Sequence, residues 1–380
     1  MFTALQTGAN AFATLSLQLL ALITLQPADF GSFSMQYLAF ALGASLALSL
    51  VCEPWLRRDL AHGHRGEWAD YSAASGYVAA AMALVTLSFS LAVPPLREVA
   101  VLGALAVGAG VYRSCARYHA VRVSHSRHTV LGDVLSLIVV SAGWLLVALL
   151  GEHDLFSVVL IWCLSAVAAA VASQWPVGLS PRRIRRWLGT HRDEIRPLLR
   201  DSLIMDAGAI GTPYLLAPIL GLQGFGVYRA VSNTAAPVRL VLTPIRPRLS
   251  ATPIERQRRI GVVVVILALS LATGAAAWLA LVAIGAFEID LGSLSALVPF
   301  SVPTAVFTAA NLLGSYYYIV ARGHLGSRVL LTGRLVQTIL AIGAPILGVV
   351  LGGLAGAIWG YAAGTAVSAV TWMALVVTRR

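Results

Sequence analysis

The sequence predicts an all-α integral membrane protein of about twelve transmembrane helices, set in two six-helix lobes related as a parallel repeat, with both termini cytoplasmic. Three observations predict it. The 380 residues are 58% hydrophobic and 11% charged, whereas a soluble domain carries roughly 25% charged residues. All 27 basic residues are arginine, none lysine, and they crowd into alternate loops. A Phe-Gly pair recurs 195 residues apart, as Phe30-Gly31 and Phe225-Gly226, each time in a short turn between apolar runs. The organisation that follows is an N-terminal lobe over 1–173, a basic cytoplasmic linker over 174–200 and a C-terminal lobe over 201–380.

The first apolar run, Met1 to Leu25, lacks a basic leader and a small-residue cleavage site, so it reads as a span and not as a signal peptide. Further runs follow at 33–52, 73–92, 99–118, 129–150 and 155–173, then at 202–220, 225–244, 260–285, 294–320, 329–350 and 354–377. Most approach the roughly 20 residues that cross a bilayer. Arginine enrichment marks cytoplasmic loops. One set of loops holds Arg57, Arg58 and Arg65, then Arg113 to Arg127, Arg182 to Arg200, Arg246 to Arg259, Arg322 with Arg328, and Arg379 with Arg380. The other set is short and contains one arginine, Arg97, against six acids: Asp29, Glu98, Glu152, Asp154, Glu288 and Asp290. Alternating spans with both ends inside satisfy every loop. In the linker, Ser180-Pro181 supplies an N-cap and a first-turn proline. Ile184, Trp187 and Leu188 recur at helical spacing among arginines, which suits a helix lying among anionic headgroups; a plain basic linker is the other reading. Both hairpins that carry Phe-Gly end at a proline beside arginine, Pro54 near Arg57 and Pro247 beside Arg246. Six spans per lobe keep the two copies in the same orientation, as in parallel-repeat transporters.

Loops this short cannot hold a catalytic domain, so any chemistry lies among the helices, where polar groups are costly and therefore informative. Span 1 carries Gln6, Asn10, Thr14 and Gln18 four residues apart. Span 10 carries Thr304, Thr308, Asn311, Ser315 and Tyr318 at spacings of 4, 3, 4 and 3. In span 8, Arg229, Ser232, Asn233 and Arg239 fall within an arc of about 120° at 100° per residue. Asp206 lies about one turn inside the inner end of span 7 and Arg239 about one turn inside the inner end of span 8, so the two can pair. Span 11 adds Arg334 and Gln337. Hydroxyl and amide groups also hydrogen-bond across packed helices with no further role. Arginines near helix ends reach for headgroups, the reading given to Arg113, Arg117 and Arg328. Asp133 reads as an acid favouring a helix start. Polar stripes on three spans, taken together, point to a shared interior face.

Cys52, Cys115 and Cys163 are isolated, and the eight histidines sit mostly in loops without ligand spacing, so no metal site or cofactor is expected. No nucleotide-binding or hydrolase motif appears, and no enzyme activity is expected. Most of the net charge of +11 reads as an inner-face layer of arginines that sets topology, not a nucleic-acid surface, and a handful of arginines remains at membrane depth.

Two turns carry a family likeness. Leu25-Gln26-Pro27-Ala28-Asp29-Phe30-Gly31 is similar to a Leu-x-Pro-x-(Asp/Glu)-(Phe/Tyr)-Gly turn. Leu220-Gly221-Leu222-Gln223-Gly224-Phe225-Gly226-Val227-Tyr228-Arg229-Ala230 is similar to a Leu-Gly-x-x-x-(Val/Phe)-Gly-x-Tyr-x-Ala turn. Both resemble the polysaccharide (Wzx-like) flippase branch of the multidrug/oligosaccharidyl-lipid/polysaccharide exporter superfamily. The layout likeness covers essentially the whole chain, the residue likeness only these turns. The chain departs from that branch in its terse outer loops, its Ala44 to Ser49 run in place of glycines, and its lack of lysine. The resemblance implies a monomeric flippase in a bacterial cytoplasmic membrane that moves a polyprenyl-diphosphate-linked oligosaccharide by alternating access. Its partners would be membrane lipids and polysaccharide polymerase machinery, and a coupling cation is left open. Arg239 and Arg229 are the expected anion contacts, with Asp206 tethering Arg239 or sensing a coupling cation, and Arg334 next; Gln6, Asn10, Asn233 and Asn311 are expected along the sugar path. A cation-coupled small-molecule or drug exporter of the same superfamily is the alternative; it calls for an acid in the first lobe's cavity, where this reading finds none at membrane depth. A membrane-embedded glycosyltransferase needs a large outer loop that is lacking, and a scaffold would tolerate loss of the arginines. Arg239→Ala is expected to abolish export while the protein still inserts and accumulates; wild-type transport by that variant would overturn the assignment.

Overall fold

Long apolar runs surrounded by hydrocarbon must satisfy their own backbone, and helices do so within one segment. The computed structural model describes residues 2–62, 68–123, 126–151, 154–238, 241–242, 249 and 252–378, and these are nearly all helical. Arg239, Arg246 and Pro247 lie outside the described residues, as do the side chains of Gln6 and Asn10.

The helices are α1 (Phe2–Thr24), α2 (Pro27–Ala47), α3 (Glu53–His62), α4 (Trp68–Ala92), α5 (Ala100–Arg122), α6 (Ser126–Leu150) and α7 (Leu155–Val171). They continue as α8 (Pro181–Thr190), α9 (Arg192–Asp206), α10 (Thr212–Asn233), α11 (Ile260–Ala286), α12 (Ser301–His324) and α13 (Ser327–Val377). Two joints are π-helical: Leu48–Cys52 joins α2 to α3, and Ala207–Gly211 joins α9 to α10. Among the described residues, seven helices are long and apolar enough to cross a membrane. Two of these, Arg192–Val238 and Arg328–Val377, run 47 and 50 residues, enough for two crossings each at roughly 20 residues per crossing. Each is interrupted near its middle by glycine. Gly221 has φ 67° and ψ 170°, and Gly353 has φ 58°, values that a side chain would strain. These breaks fall at the outer turns the sequence predicts.

The chain divides into two compact units. The first comprises Met1–Ala21 and Ser32–Asp206. At its core, Trp55, Trp68 and Tyr71 surround His119, with ring centroids 4.7–5.0 Å from the imidazole. The Tyr71 hydroxyl donates to Cys115 O at 2.8 Å. Ser180 caps α8 by accepting from Arg182 N at 3.3 Å, and Pro181 opens the helix, as the sequence indicates. Trp187 is 3% exposed and its indole donates to Leu50 O at 2.9 Å. Leu50 lies within the π turn, where the regular ladder shifts and a carbonyl is left for an outside donor. Thus α8 is held on protein by Trp187, while Arg182, Arg185 and Arg186 remain exposed.

The second unit comprises Leu22–Gly31 and Ala207–Arg380. Here the two Phe-Gly turns meet. A Cβ on Gly226 would lie 1.7 Å from Pro27 O, and one on Gly31 would lie 2.4 Å from Leu222 O. Pro27 is four residues before Gly31 and Leu222 four before Gly226, so each glycine admits the carbonyl one turn back on the other helix. Such an approach needs small residues. Phe30 and Phe225 are both fully buried beside it. Ser293 closes the turn before α2, its backbone N–H and hydroxyl both donating to Leu25 O at 2.9 and 2.7 Å. Farther along, Tyr316, Tyr317, Val320, Trp372 and Val376 form the core where α12 packs on α13. In α11, by contrast, most of the apolar surface faces outward, as a lipid-facing helix requires.

Overpacking a tight contact costs about 1–3 kcal/mol, and a backbone carbonyl yields less readily than a side chain. Gly226→Ala is therefore expected to lower the melting temperature in detergent or to prevent accumulation. Gly343→Ala, where an added Cβ meets nothing within 4 Å, should leave the melting temperature unchanged or raise it. Equal behaviour of the two would overturn the crossing as a stability determinant.

Candidate functional site

In the first unit, α1, α2, α5, α6 and α7 wall a cavity of about 180 Å³. Tyr37, Phe40 and Trp162 contribute aromatic surface, and Thr14, Ser114, Ser136 and Ser165 contribute hydroxyls. Gly110 makes room for the Phe40 ring, since a Cβ there would lie 2.8 Å from it. Ser136 and Ser165 are hydrogen-bonded at 2.8 Å, and the Trp144 indole donates to Ser16 O at 3.2 Å. The charged member of the lining is Arg113.

Arg113 does not extend toward headgroups as the sequence suggests. Its Nη2 donates to Asp133 Oδ1, and Arg117 Nε reaches Asp133 Oδ2 at 3.4 Å. Asp133 is 1% exposed and Arg113 13%. The correction has a physical cause in the helix bounds. Helix α5 continues to Arg122 and α6 begins at Ser126, so Arg113 and Arg117 stack one turn apart opposite an acid two turns inside α6. Asp133 is consequently an interior counter-ion and not a helix-start residue. Gly132 beside it allows α7 close, because a Cβ there would sit 3.0 Å from Ala169 O and 3.7 Å from Arg113 Nε. Buried charges persist only when paired and hydrogen-bonded.

The second unit holds most of the remaining candidates. Arg229 is half-buried and within electrostatic reach of Tyr214 and Tyr228. Its carbonyl accepts from Ser232 Oγ at 2.8 Å, and Asn233, 8% exposed, follows on the next turn. Thr234 and Thr308 hydroxyls meet at 3.0 Å, which brings the polar stripe of α12 to the end of α10. One turn beyond Thr308, Asn311 has its Oδ1 buried with no hydrogen-bond partner among the described residues. Arg334 is separate from this group. Its guanidinium lies 4.7 Å from the centroid of the Tyr318 ring and donates to the Tyr318 hydroxyl. Gln337, one turn on, accepts from the Trp372 indole at 3.2 Å.

The predicted set thus divides. Arg229, Asn233 and Asn311 belong to one neighbourhood and Arg334 to another within the same unit. Asp206, 6% exposed, belongs to the first unit and is hydrogen-bonded to Ser45. Its proposed partner Arg239 lies outside the described residues, as do the side chains of Gln6 and Asn10; Thr14, on the same stripe, lines the first unit's cavity. The sequence reading did not find the Arg113–Asp133–Arg117 network or its aromatic wall. The available signal was Asp133 itself, a lone acid seven residues into a run that could start at Ser126. No group of histidine, cysteine or acidic side chains able to hold a metal ion occurs among the described residues.

No protein-family profile and no characterised sequence matches the chain. Solved structures do. A lipid II flippase, MurJ, in an inward-closed conformation superposes with a TM-score of 0.66 at 9% identity, over 97% of this chain and 86% of that one. An inward-facing multidrug-resistance MATE transporter of the MOP superfamily gives 0.56 at 14% identity, over 97% and 96%. A MOP superfamily transporter from Pyrococcus furiosus, described as having a binding pocket of reversed polarity, gives 0.51 at 14%, over 100% and 94%. At these identities the likeness shows the fold: the chain has the architecture of MOP-superfamily transporters.

Removing one partner of a buried pair costs about 3–5 kcal/mol, because the other charge stays buried. Asp133→Asn is expected to lower stability on that scale, and Asp133→Asn with Arg113→Met to recover part of the loss. Additive losses in the double variant would overturn the pairing.

Proposed function

We propose that this protein is a flippase of the cytoplasmic membrane that carries a lipid-linked oligosaccharide from the inner to the outer leaflet. The observation that carries the reading is the placement of guanidinium groups among membrane-length helices, on a fold shared with a lipid II flippase. A sugar-diphosphate head cannot enter hydrocarbon without something in place of its water. Arginine forks grip phosphate oxygens at two points. Arg229, with Arg334 and Arg239, is assigned to the anion; Asn233, Asn311, Gln6 and Asn10 are assigned to sugar hydroxyls. The lipid tail remains in the bilayer. Two six-helix lobes in parallel repeat, both termini cytoplasmic, would rock to alternate access. The reciprocal Gly31 and Gly226 crossing supports that repeat, since corresponding positions of the two turns play the same part.

The second reading is a cation-coupled drug exporter, and one observation favours it. Asp206 is buried, and its Oδ2 has no hydrogen-bond partner among the described residues, which leaves a carboxylate oxygen for a cation. The MATE structures also cover nearly the whole chain. Against it, the acid nearest the first unit's cavity, Asp133, is engaged by two guanidiniums.

Purified protein in sealed vesicles decides between them. A labelled polyprenyl-diphosphate sugar is expected to become accessible on the far leaflet at a rate that Arg229→Ala reduces about tenfold or more, the factor for one charge-assisted contact. A cationic dye is expected not to accumulate. Dye transport without lipid translocation would replace the first reading by the second.

A further inference from the structure

The first unit's cavity is smaller than a large head group requires. Its volume is about 180 Å³. Drug-sized ligands occupy roughly 300–1,000 Å³, and an oligosaccharide needs more than one ring's worth of space. The cavity therefore admits one ring-sized group. Trp162 stands 5.8 Å from Tyr37 and 6.1 Å from Phe40 between ring centroids, giving a folded aromatic wall. Aromatic faces carry partial negative charge and suit the polarised C–H face of a sugar. Serine hydroxyls on the same cavity can both donate and accept, as sugar hydroxyls do. Arg113 then decides the sign of the ligand. Of its five N–H donors, one hydrogen bond is made among the described residues, through Nη2 to Asp133, and the guanidinium borders the cavity. Arg113 and Arg117 share one carboxylate, Asp133, so the group keeps a net positive charge that repels a cation and favours an anion.

We propose that this cavity binds a single sugar ring bearing a carboxylate or a phosphate. Arg113 contacts the anion, Trp162 with Tyr37 and Phe40 covers a ring face, and Asp133 is a positioning residue that fixes the guanidinium from behind. The inference rests on the flippase reading, of whose cargo this ring is one unit, and it narrows that cargo to an acidic saccharide.

Full-length protein in nanodiscs is titrated with glucuronate, glucose 6-phosphate, glucose, benzoate and inorganic phosphate, by calorimetry and by tryptophan fluorescence. At least one charged sugar is expected to bind about tenfold or more tightly than glucose. Arg113→Gln is expected to remove that preference and Arg113→Lys to retain part of it. Phe40→Leu should weaken charged and neutral sugars alike, and Arg97→Gln, on an outer loop, should change nothing. Gly110→Ala, which displaces the Phe40 ring without altering charge, keeps the test open if Arg113→Gln fails to fold. Equal affinity for glucose and both charged sugars would overturn the proposal. So would phosphate or benzoate binding as tightly as the charged sugars, because the site would then read an anion alone. Sugar selectivity without lipid translocation leaves this site standing and removes the flippase reading. Translocation without selectivity does the reverse.

Discussion

Hydrocarbon offers no water to a polar group, and the arrangement of this chain follows from that one condition. Backbone groups are satisfied inside helices. Hydroxyls in the helices turn back onto carbonyls four residues earlier, as Ser75 does to Tyr71 and Thr86 to Met82, both at 2.8–2.9 Å. Where the ladder shifts at a π turn, an outside donor takes up the freed carbonyl, as Trp187 does at Leu50. Helix pairs approach through glycine, since no large side chain is needed to exclude water that is already absent. Charge follows the same logic: Asp133, Arg113 and Arg117 come inside only as a group.

What was legible in the sequence is what hydrocarbon writes along a single helix. Run lengths, glycine breaks and the Ser180 cap are local, and Gly221, Gly353 and α8 stand where composition places them. The Phe-Gly repeat was visible too, but not its packing. A glycine's missing side chain reads in sequence as turn chemistry, whereas at Gly226 its role is to admit Pro27 O from a segment nearly 200 residues away. The cavity was illegible for the same reason. Thr14, Tyr37, Arg113, Ser136 and Trp162 come from five helices, and no spacing rule links them. Asp133 was within reach, and a three-residue error in the start of α6 hid it. Starting the helix at 129 makes the acid a terminal residue; starting it at Ser126 buries it two turns deep.

Fold and charge carry different parts of the functional argument. The architecture is common to transporters of lipid-linked cargo and of drugs, so it cannot select a substrate. Selection has to come from the groups that face the cargo. The first unit's cavity is lined by one guanidinium, several hydroxyls and three aromatic rings, and the second unit holds a guanidinium among tyrosines with amides nearby. The two units thus hold chemically similar polar neighbourhoods.

Asp133 also bears on how such a site could take part in movement. A ligand shifts a conformational equilibrium only by as much as its affinity differs between the states. Arg113 already has an anion in Asp133, so a second anion contributes differential free energy only where the guanidinium can reach it without losing the first. The two oxygens of Asp133 each engage a different arginine, so the carboxylate would keep Arg117 as a partner if Arg113 were drawn to another anion. A single isolated pair would force the ligand to compete with a fully buried carboxylate, at the cost of leaving that charge unpaired. The shared acid therefore distinguishes Arg113 from one arm of an isolated buried pair, whose carboxylate would have no second partner.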